Sequence, residues 1–159
     1  MWYEQLNTAE TLTPALLIHP KTIIENVSEM IRMATSVDRL RPHIKTVKMP
    51  HLISLQLKMG VSKFKCATAM EAKMLAECGV KDVLWAYPLV GPNQEALLSL
   101  INSYPQTTFS TLVDHQDQLI SWISKSIPHP INLYIDINVG MNRTGIKPNQ
   151  ISAFIALIS

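Results

Sequence analysis

Residues 40–48 read Leu40-Arg41-Pro42-His43-Ile44-Lys45-Thr46-Val47-Lys48. In an extended chain successive side chains point to opposite faces. Leu40, Pro42 and Ile44 then share one face, and Arg41, His43 and Lys45 share the other. Three basic or titratable groups in a row are costly on a strand face unless that face meets water or a ligand. The stretch lies between two segments with helical patterning. It is therefore expected to be the second strand of a series, with Lys45 at the end of a polar face.

Working outward from it, the same alternation of elements recurs. Residues 1–13 are polar and read as an N-terminal arm. Pro14-Ala15-Leu16-Leu17-Ile18 reads as a first, buried strand. Pro20 suits the first turn of a helix, and Ile23, Ile24, Val27, Met30 and Ile31 follow at helical spacing. After the second strand, Pro50 opens a helix that Gly60 can close as a left-handed cap. Residues 63–68 form a third strand and 69–78 a helix ended by Gly79. Residues 82–87 form a fourth strand that Pro88 stops, and Pro92 opens the next helix. Thr107 to Val113 is a fifth strand rich in β-branched residues, with Asp114 placed to cap the helix after it. That helix is broken by Pro128 and Pro130. Ile131 to Asn138 is a sixth strand, 140–145 a loop, and Ile151 to Ile158 a last helix that begins at Pro148.

Strand then helix, six times and without a hairpin signal, means parallel strands joined by right-handed crossovers. Two architectures satisfy this order: an open doubly wound sheet, or about six units of a (β/α)8 TIM barrel. The sixth strand puts Leu133, Ile135 and Ile137 on one side and Asn132, Tyr134, Asp136 and Asn138 on the other. In a doubly wound sheet both faces meet helices, so strands are apolar on both. The split strands favour an α/β partial barrel, although barrel interiors are usually filled with branched apolar residues. No Gly-rich phosphate fingerprint follows the first strand, which weakens a dinucleotide-binding version of the doubly wound sheet. The last helix ends in apolar residues without a cap, so the 159 residues are expected to be part of a longer chain.

Composition narrows the function classes. A chain of 159 residues suffices for one core. The net charge of +2 is too small to argue for nucleic acid or a membrane surface. No apolar run is long enough to span a bilayer, and Met1-Trp2-Tyr3-Glu4-Gln5 does not begin a signal peptide. Cys66 and Cys78 lack metal-ligand spacing and read as buried thiols in a reducing cytoplasm.

Two residues stand out for chemistry. A Lys inside a protein beside other cations loses part of its preference for the charged form. Its neutral amine attacks carbonyls and can form a Schiff base. Lys45, with Arg41 and His43 on its face, meets that description; a solvated Lys near an anion-binding site is the alternative. Arg143 lies in the loop after the sixth strand, on the side of a barrel where catalytic groups gather. A guanidinium there can hold a carboxylate, a phosphate or an electron-rich ring atom, and Asp136 is placed either to orient it or to be a buried partner for a neighbouring strand. A loop Arg in solvent is the competing account. The five histidines, His19, His43, His51, His115 and His129, form no metal-spaced pair.

Several of these pieces together resemble a known family. They are Thr13-Pro14-Ala15-Leu16, Arg41-Pro42-His43-Ile44-Lys45-Thr46-Val47-Lys48, Asp82 to Pro88 with Leu89-Val90-Gly91-Pro92, and Asp136 to Gly145. They resemble the N-terminal barrel of the alanine racemase-like enzymes that use pyridoxal 5'-phosphate. The nearest branch looks like D-threonine aldolase and D-serine dehydratase, whose strand-two motif reads Arg-Pro-His-x-Lys-Thr-His-Lys. Val47 stands where that motif has its second His. Asn142 stands where the Gly-Met-Gly-Arg-x-Gly piece of alanine racemase commonly has Gly.

The resemblance implies that Lys45, not Lys48, carries the cofactor and is the catalytic residue. It implies that His43 and Arg143 also bind the cofactor, with Arg143 at the ring. It implies a cytoplasmic lyase acting on a small amino-acid substrate of D configuration, with the aldolase favoured over a dehydratase or racemase. It implies a homodimer when full length, and no nucleic-acid or membrane partner. On this reading residues 1–159 are the N-terminal part of the barrel. The rest of the barrel and a C-terminal β domain, with the phosphate loops and the ligands for a divalent metal, are absent, so this chain holds no metal residues. A non-catalytic pyridoxal-phosphate-binding protein and a plain α/β binding module are the other classes that fit.

Overall fold

Four parallel strands make the sheet: β1 (Lys63–Cys66), β2 (Asp82–Pro88), β3 (Thr108–Val113) and β4 (Asn132–Ile135). Their spatial order is their chain order, β1-β2-β3-β4. A doubly wound sheet reverses strand order at a switch point; here each strand is added beside the last, which is the winding of a barrel. The structure, a computed structural model, describes residues 9–127 and 129–157.

The crossovers are α3 (Ala69–Glu77), α4 (Pro92–Ser103) and α5 (Gln116–Ile123). Before them come α1 (Pro20–Ala34) and α2 (Pro50–Lys58), and the described chain closes with α6 (Ile151–Ile155). α3 packs on β1 and β2 and α4 on β3, with α2 beside α3 and α3 beside α4. The register explains which side chains they cover. Phe64, Val83 and Phe109 lie in one row across the strands, and all three are buried. Lys65, Leu84, Ser110 and Asn132 form the next row, whose side chains point to the other face. Of these four, Lys65 and Leu84 are half-buried and Asn132 is exposed. Each fully buried Phe or Val in the helix-facing row contributes roughly 2 kcal/mol of transfer free energy. The mixed face is the one a closed barrel turns inward.

Strand ends are shaped by residues that cannot continue a ladder. The register of β2 against β3 slips between Trp85 and Pro88. Pro88 has no N–H to donate. The buried Thr111 hydroxyl donates to the Trp85 and Tyr87 carbonyls at 3.3 and 3.1 Å and so satisfies the kinked edge. The Gln118 amide donates to the carbonyls of Leu89 and Leu112, and that of Gln94 donates to Leu89 as well.

Four expectations need correction. Residues 14–18 form no strand, and Leu16 is 76% exposed. Residues 40–48 form no strand either: one parallel bridge, His43 to Lys65, is followed by a 3-10 turn at Ile44–Thr46. The two failures have one cause. Pro42 accepts a hydrogen bond from the Lys65 N–H at 2.9 Å but has none to give. The His43 imidazole then takes the Lys45 N–H, diverting the backbone from a ladder. The segment at 14–18 is thereby offered no strand to pair with. β4 is shorter than 131–138, although Asp136 still donates to the Val113 carbonyl and Ile137 bridges to Ile146. The last helix is shorter than 151–158 within the described residues; Ile158, Pro128 and residues 1–8 lie outside them.

The start of α3 is locally specified. Thr68 is its N-cap, and its hydroxyl accepts the Glu71 N–H at 3.2 Å. The Glu71 carboxylate reaches back to the Ala67 N–H at 2.8 Å. This is close to a reciprocal capping box. Thr68→Ala is expected to cost about 1 kcal/mol in a urea titration; an unchanged midpoint would mean that the cap is replaced by water without loss.

Candidate functional site

The residues of 41–48 are held by three elements at once. Arg41 forms a bidentate pair with Asp82 at the start of β2, at 2.5 and 2.7 Å. This pair, half-buried on both sides, raises the Arg41 guanidinium above its ordinary value, with Asp82 the main cause and the nearby Tyr134 phenol a lesser one. His43 is pinned to β1 through its bridge to Lys65. Lys48 reaches the N-terminus of α3, where its Nζ lies 2.8 Å from the Glu71 carboxylate.

The expected row of Arg41, His43 and Lys45 on one strand face is therefore replaced by a turn. Its members separate: Arg41 is consumed by Asp82, while His43 and Lys45 stay together through the Lys45 N–H to His43 Nδ1 bond, 3.2 Å. Lys45 itself is exposed, and no carboxylate among the described residues pairs with its amine. A cavity of about 680 Å³ opens beside it, lined by His43, Lys45 and Lys48, by the polar Asn26, Thr46 and Gln56, and by apolar residues of α1, α2 and the segments before each.

Electrostatics sorts the cluster. Burial first, then the cations of Lys65 and Lys45, push His43 below its ordinary value, with Glu71 pulling weakly the other way. The ring is thus neutral at pH 7, as its acceptor role at Nδ1 requires. Burial alone would lift Glu71, but the hydrogen bonds from Lys48 and the Ala67 N–H outweigh it and hold the carboxyl below its ordinary range. Cys66, by contrast, is buried and its thiol is pushed up to about 12, mainly by desolvation, so it is not a nucleophile.

Both shifts have the same consequence for acid. The unfolded chain takes up a proton at His43 before the folded one does, and likewise at Glu71. Stability contributed by these groups is fully present above the ordinary His range and declines as pH falls first through it and then through the carboxylate range. The melting temperature is expected to fall on acidification from pH 7.5 to 4, and His43→Gln is expected to remove the part of that fall near pH 6. A melting temperature that rises over this interval would contradict the arrangement.

Arg143 occupies a separate loop at the same, C-terminal edge of the sheet. The loop is closed by its backbone: Asn138 N–H donates to Ile146 at 2.9 Å and Ile146 N–H to Asp136 at 2.8 Å. The Asn138 side chain accepts from the N–H groups of Gly140 and Asn142. Arg143 is exposed on this frame. Asp136, expected to orient it, takes part through its backbone. Asp114, expected to cap α5, instead accepts the Gly145 N–H at 2.9 Å, and His115 is the cap. The reason is reach: His115 Nδ1 takes the Asp117 N–H, leaving the Asp114 carboxylate free for the loop.

Glu71, Asp82, Lys65, Asp114 and Asn138 shape the site although the sequence did not single them out for it. Thr68-x-x-Glu71 is a legible cap signature, but its second role on Lys48 is not. Among the described residues no group of three or more His, Cys, Asp or Glu side chains is placed to hold a metal.

A cofactor aldehyde with an anionic phosphate requires an unclaimed amine, room beside it and few carboxylates. Lys45 supplies the amine, the 680 Å³ cavity the room, and His43, Lys48 and Lys65 a cationic or neutral surround. The residues fit such a group.

Residues 18–159 match the protein family described as alanine racemase, N-terminal domain. The chain is 27% identical over 148 residues to a D-threonine aldolase of Arthrobacter sp, covering 91% of this chain and 38% of that protein. It is 25% identical, over the same length and shares, to a D-threo-3-hydroxyaspartate dehydratase of Delftia sp. (strain HT23). The crystal structure of D-threonine aldolase from Filomicrobium marinum superposes with a TM-score of 0.81 at 28% identity, over 94% of this chain and 41% of that one. The chain thus spans about two fifths of the length of these relatives.

Proposed function

The chain belongs to the alanine racemase N-terminal domain family, and from that premise we propose that it forms the cofactor-holding part of a pyridoxal-5'-phosphate-dependent lyase acting on β-hydroxy-D-amino acids. The observation that carries this reading is Lys45, an amine paired with no described carboxylate, beside a neutral His43 and a cavity of about 680 Å³.

The cofactor supplies an electron sink for the bonds at the substrate α-carbon. Lys45 would hold it covalently through Nζ. Lys45 Nζ would also be the base at hand to take a proton from the substrate, at the β-hydroxyl for carbon–carbon cleavage or at the α-carbon for loss of hydroxide. His43, being neutral, flanks the site without adding a further positive charge beside Lys45. Arg143 would contact the ring from the loop after β4. The remaining barrel units and a β domain would be supplied by the whole protein, where a homodimer and a cytoplasmic location are proposed as well.

The whole protein, loaded with pyridoxal phosphate and given D-threonine, is expected to release glycine and acetaldehyde, read by NMR. A keto acid and ammonia from the same substrate would transfer the assignment to the dehydratase, which the Delftia relative favours as second reading. No product from any β-hydroxy-D-amino acid would reject the lyase.

A further inference from the structure

Two lysines three residues apart, Lys45 and Lys48, both line the cavity. Lys45 lies on the 3-10 turn, exposed, with its backbone N–H on His43 and no carboxylate among the described residues paired with its amine. Lys48 Nζ is 2.8 Å from Glu71 Oε1. That carboxylate is not an ordinary surface acid: its side chain is 5% exposed, and its other oxygen accepts the Ala67 N–H at 2.8 Å in the cap of α3. We propose that Glu71 is a positioning residue that withholds Lys48 from carbonyl chemistry and so makes Lys45 the amine that captures an aldehyde. This rests on the function proposed above and adds to it the device that selects the lysine.

The chemistry makes the selection physical. For an amine to capture an aldehyde, its nitrogen must shed a proton and use the freed lone pair to form a bond to the carbonyl carbon. The carbonyl oxygen then departs as water, leaving a carbon–nitrogen double bond. Lys48 can do this only by leaving Glu71, which strands a buried carboxylate still fixed by the Ala67 N–H. Although the Lys48 side chain is 57% exposed, the carboxylate it would abandon is 5% exposed, and leaving a buried charge without its partner is costly. Lys45 leaves nothing behind.

The test is site mapping on the whole protein. Pyridoxal phosphate is added, the adduct is trapped with borohydride, and labelled lysines are located by peptide mass spectrometry. The native protein is expected to carry label on Lys45, with about tenfold less or none on Lys48. Lys45→Ala is expected to leave Lys48 unlabelled, and Lys45→Ala combined with Glu71→Gln is expected to move label onto Lys48. General unfolding of the double variant is distinguishable, because it would abolish the cooperative thermal transition of the native protein. Should that variant fail to fold, limited reductive methylation of the native protein replaces it, with Lys45 expected to react about tenfold faster than Lys48. Label on Lys48 in Lys45→Ala with Glu71 intact, or equal methylation of the two, overturns the role of Glu71. A native protein labelled on no lysine of this cluster instead overturns the proposed function.

Discussion

Lys45→Ala is expected to abolish the absorbance band near the visible edge that forms when the whole protein is given pyridoxal phosphate, and to lower turnover by about a thousandfold or more, as loss of a covalent nucleophile does. The structure makes this an unusually clean substitution. The Lys45 side chain is exposed, so its removal alters stability by no more than about 0.5 kcal/mol. The bond that shapes the turn, Lys45 N–H to His43 Nδ1, belongs to the backbone and survives the change. A loss of the band with an unchanged melting temperature therefore reports on the amine alone. Added methylamine, which replaces the missing nitrogen, is expected to restore part of the turnover. A band that persists undiminished in Lys45→Ala would remove this residue from the chemistry.

The second large effect is structural. Gly145→Ala is expected to destabilise the protein by about 3 kcal/mol, from backbone strain together with overpacking. Gly145 has φ +99°, a conformation that L side chains rarely adopt. A Cβ there would lie 2.6 Å from the Asn138 nitrogen and 2.8 Å from the Ile137 carbonyl carbon, and neither backbone atom can move aside. These contacts are the ones that close the loop carrying Arg143, through Asn138 to Ile146 and Gly145 to Asp114. Gly140 provides the internal comparison. Its φ is +118°, but nothing lies within 4 Å of the added carbon, so Gly140→Ala is expected to cost about 1 kcal/mol. Urea titrations of the two variants side by side decide the matter; equal losses would show that the loop relaxes around the new methyl.

The contrast between these two glycines shows how far local pattern reaches. Both stand in a stretch that reads as a loop, and nothing in their neighbours tells one from the other. What separates them is the approach of residues 137–138 to one and not to the other. The same holds for Asp114. Its position after a β-branched strand is that of a helix cap, and only the return of the loop at 145 shows which N–H it serves. The strand expected at 40–48 failed for a local reason that was partly legible: Pro42 removes a donor, and His43 is a side chain able to hold the N–H two residues on. The strand expected at 14–18 failed with it, because an apolar run becomes a strand only when another strand offers a ladder.

Taken by itself, the sequence determined the alternation of strands and helices from residue 63 onward, the rows of apolar side chains that the helices cover, the cap of α3, and the family motif that singles out Lys45. The first three follow from periodicity and short-range hydrogen bonding, which act within a few residues; the choice of Lys45 is what the family resemblance implies. Tertiary structure alone decided that the strands add in chain order, that Arg41 is taken by Asp82 and Lys48 by Glu71, and that Lys45 remains free. Periodicity states which way a side chain points. It does not state what arrives opposite it from 41 residues away, as Asp82 does at Arg41, or from 23 residues away, as Glu71 does at Lys48.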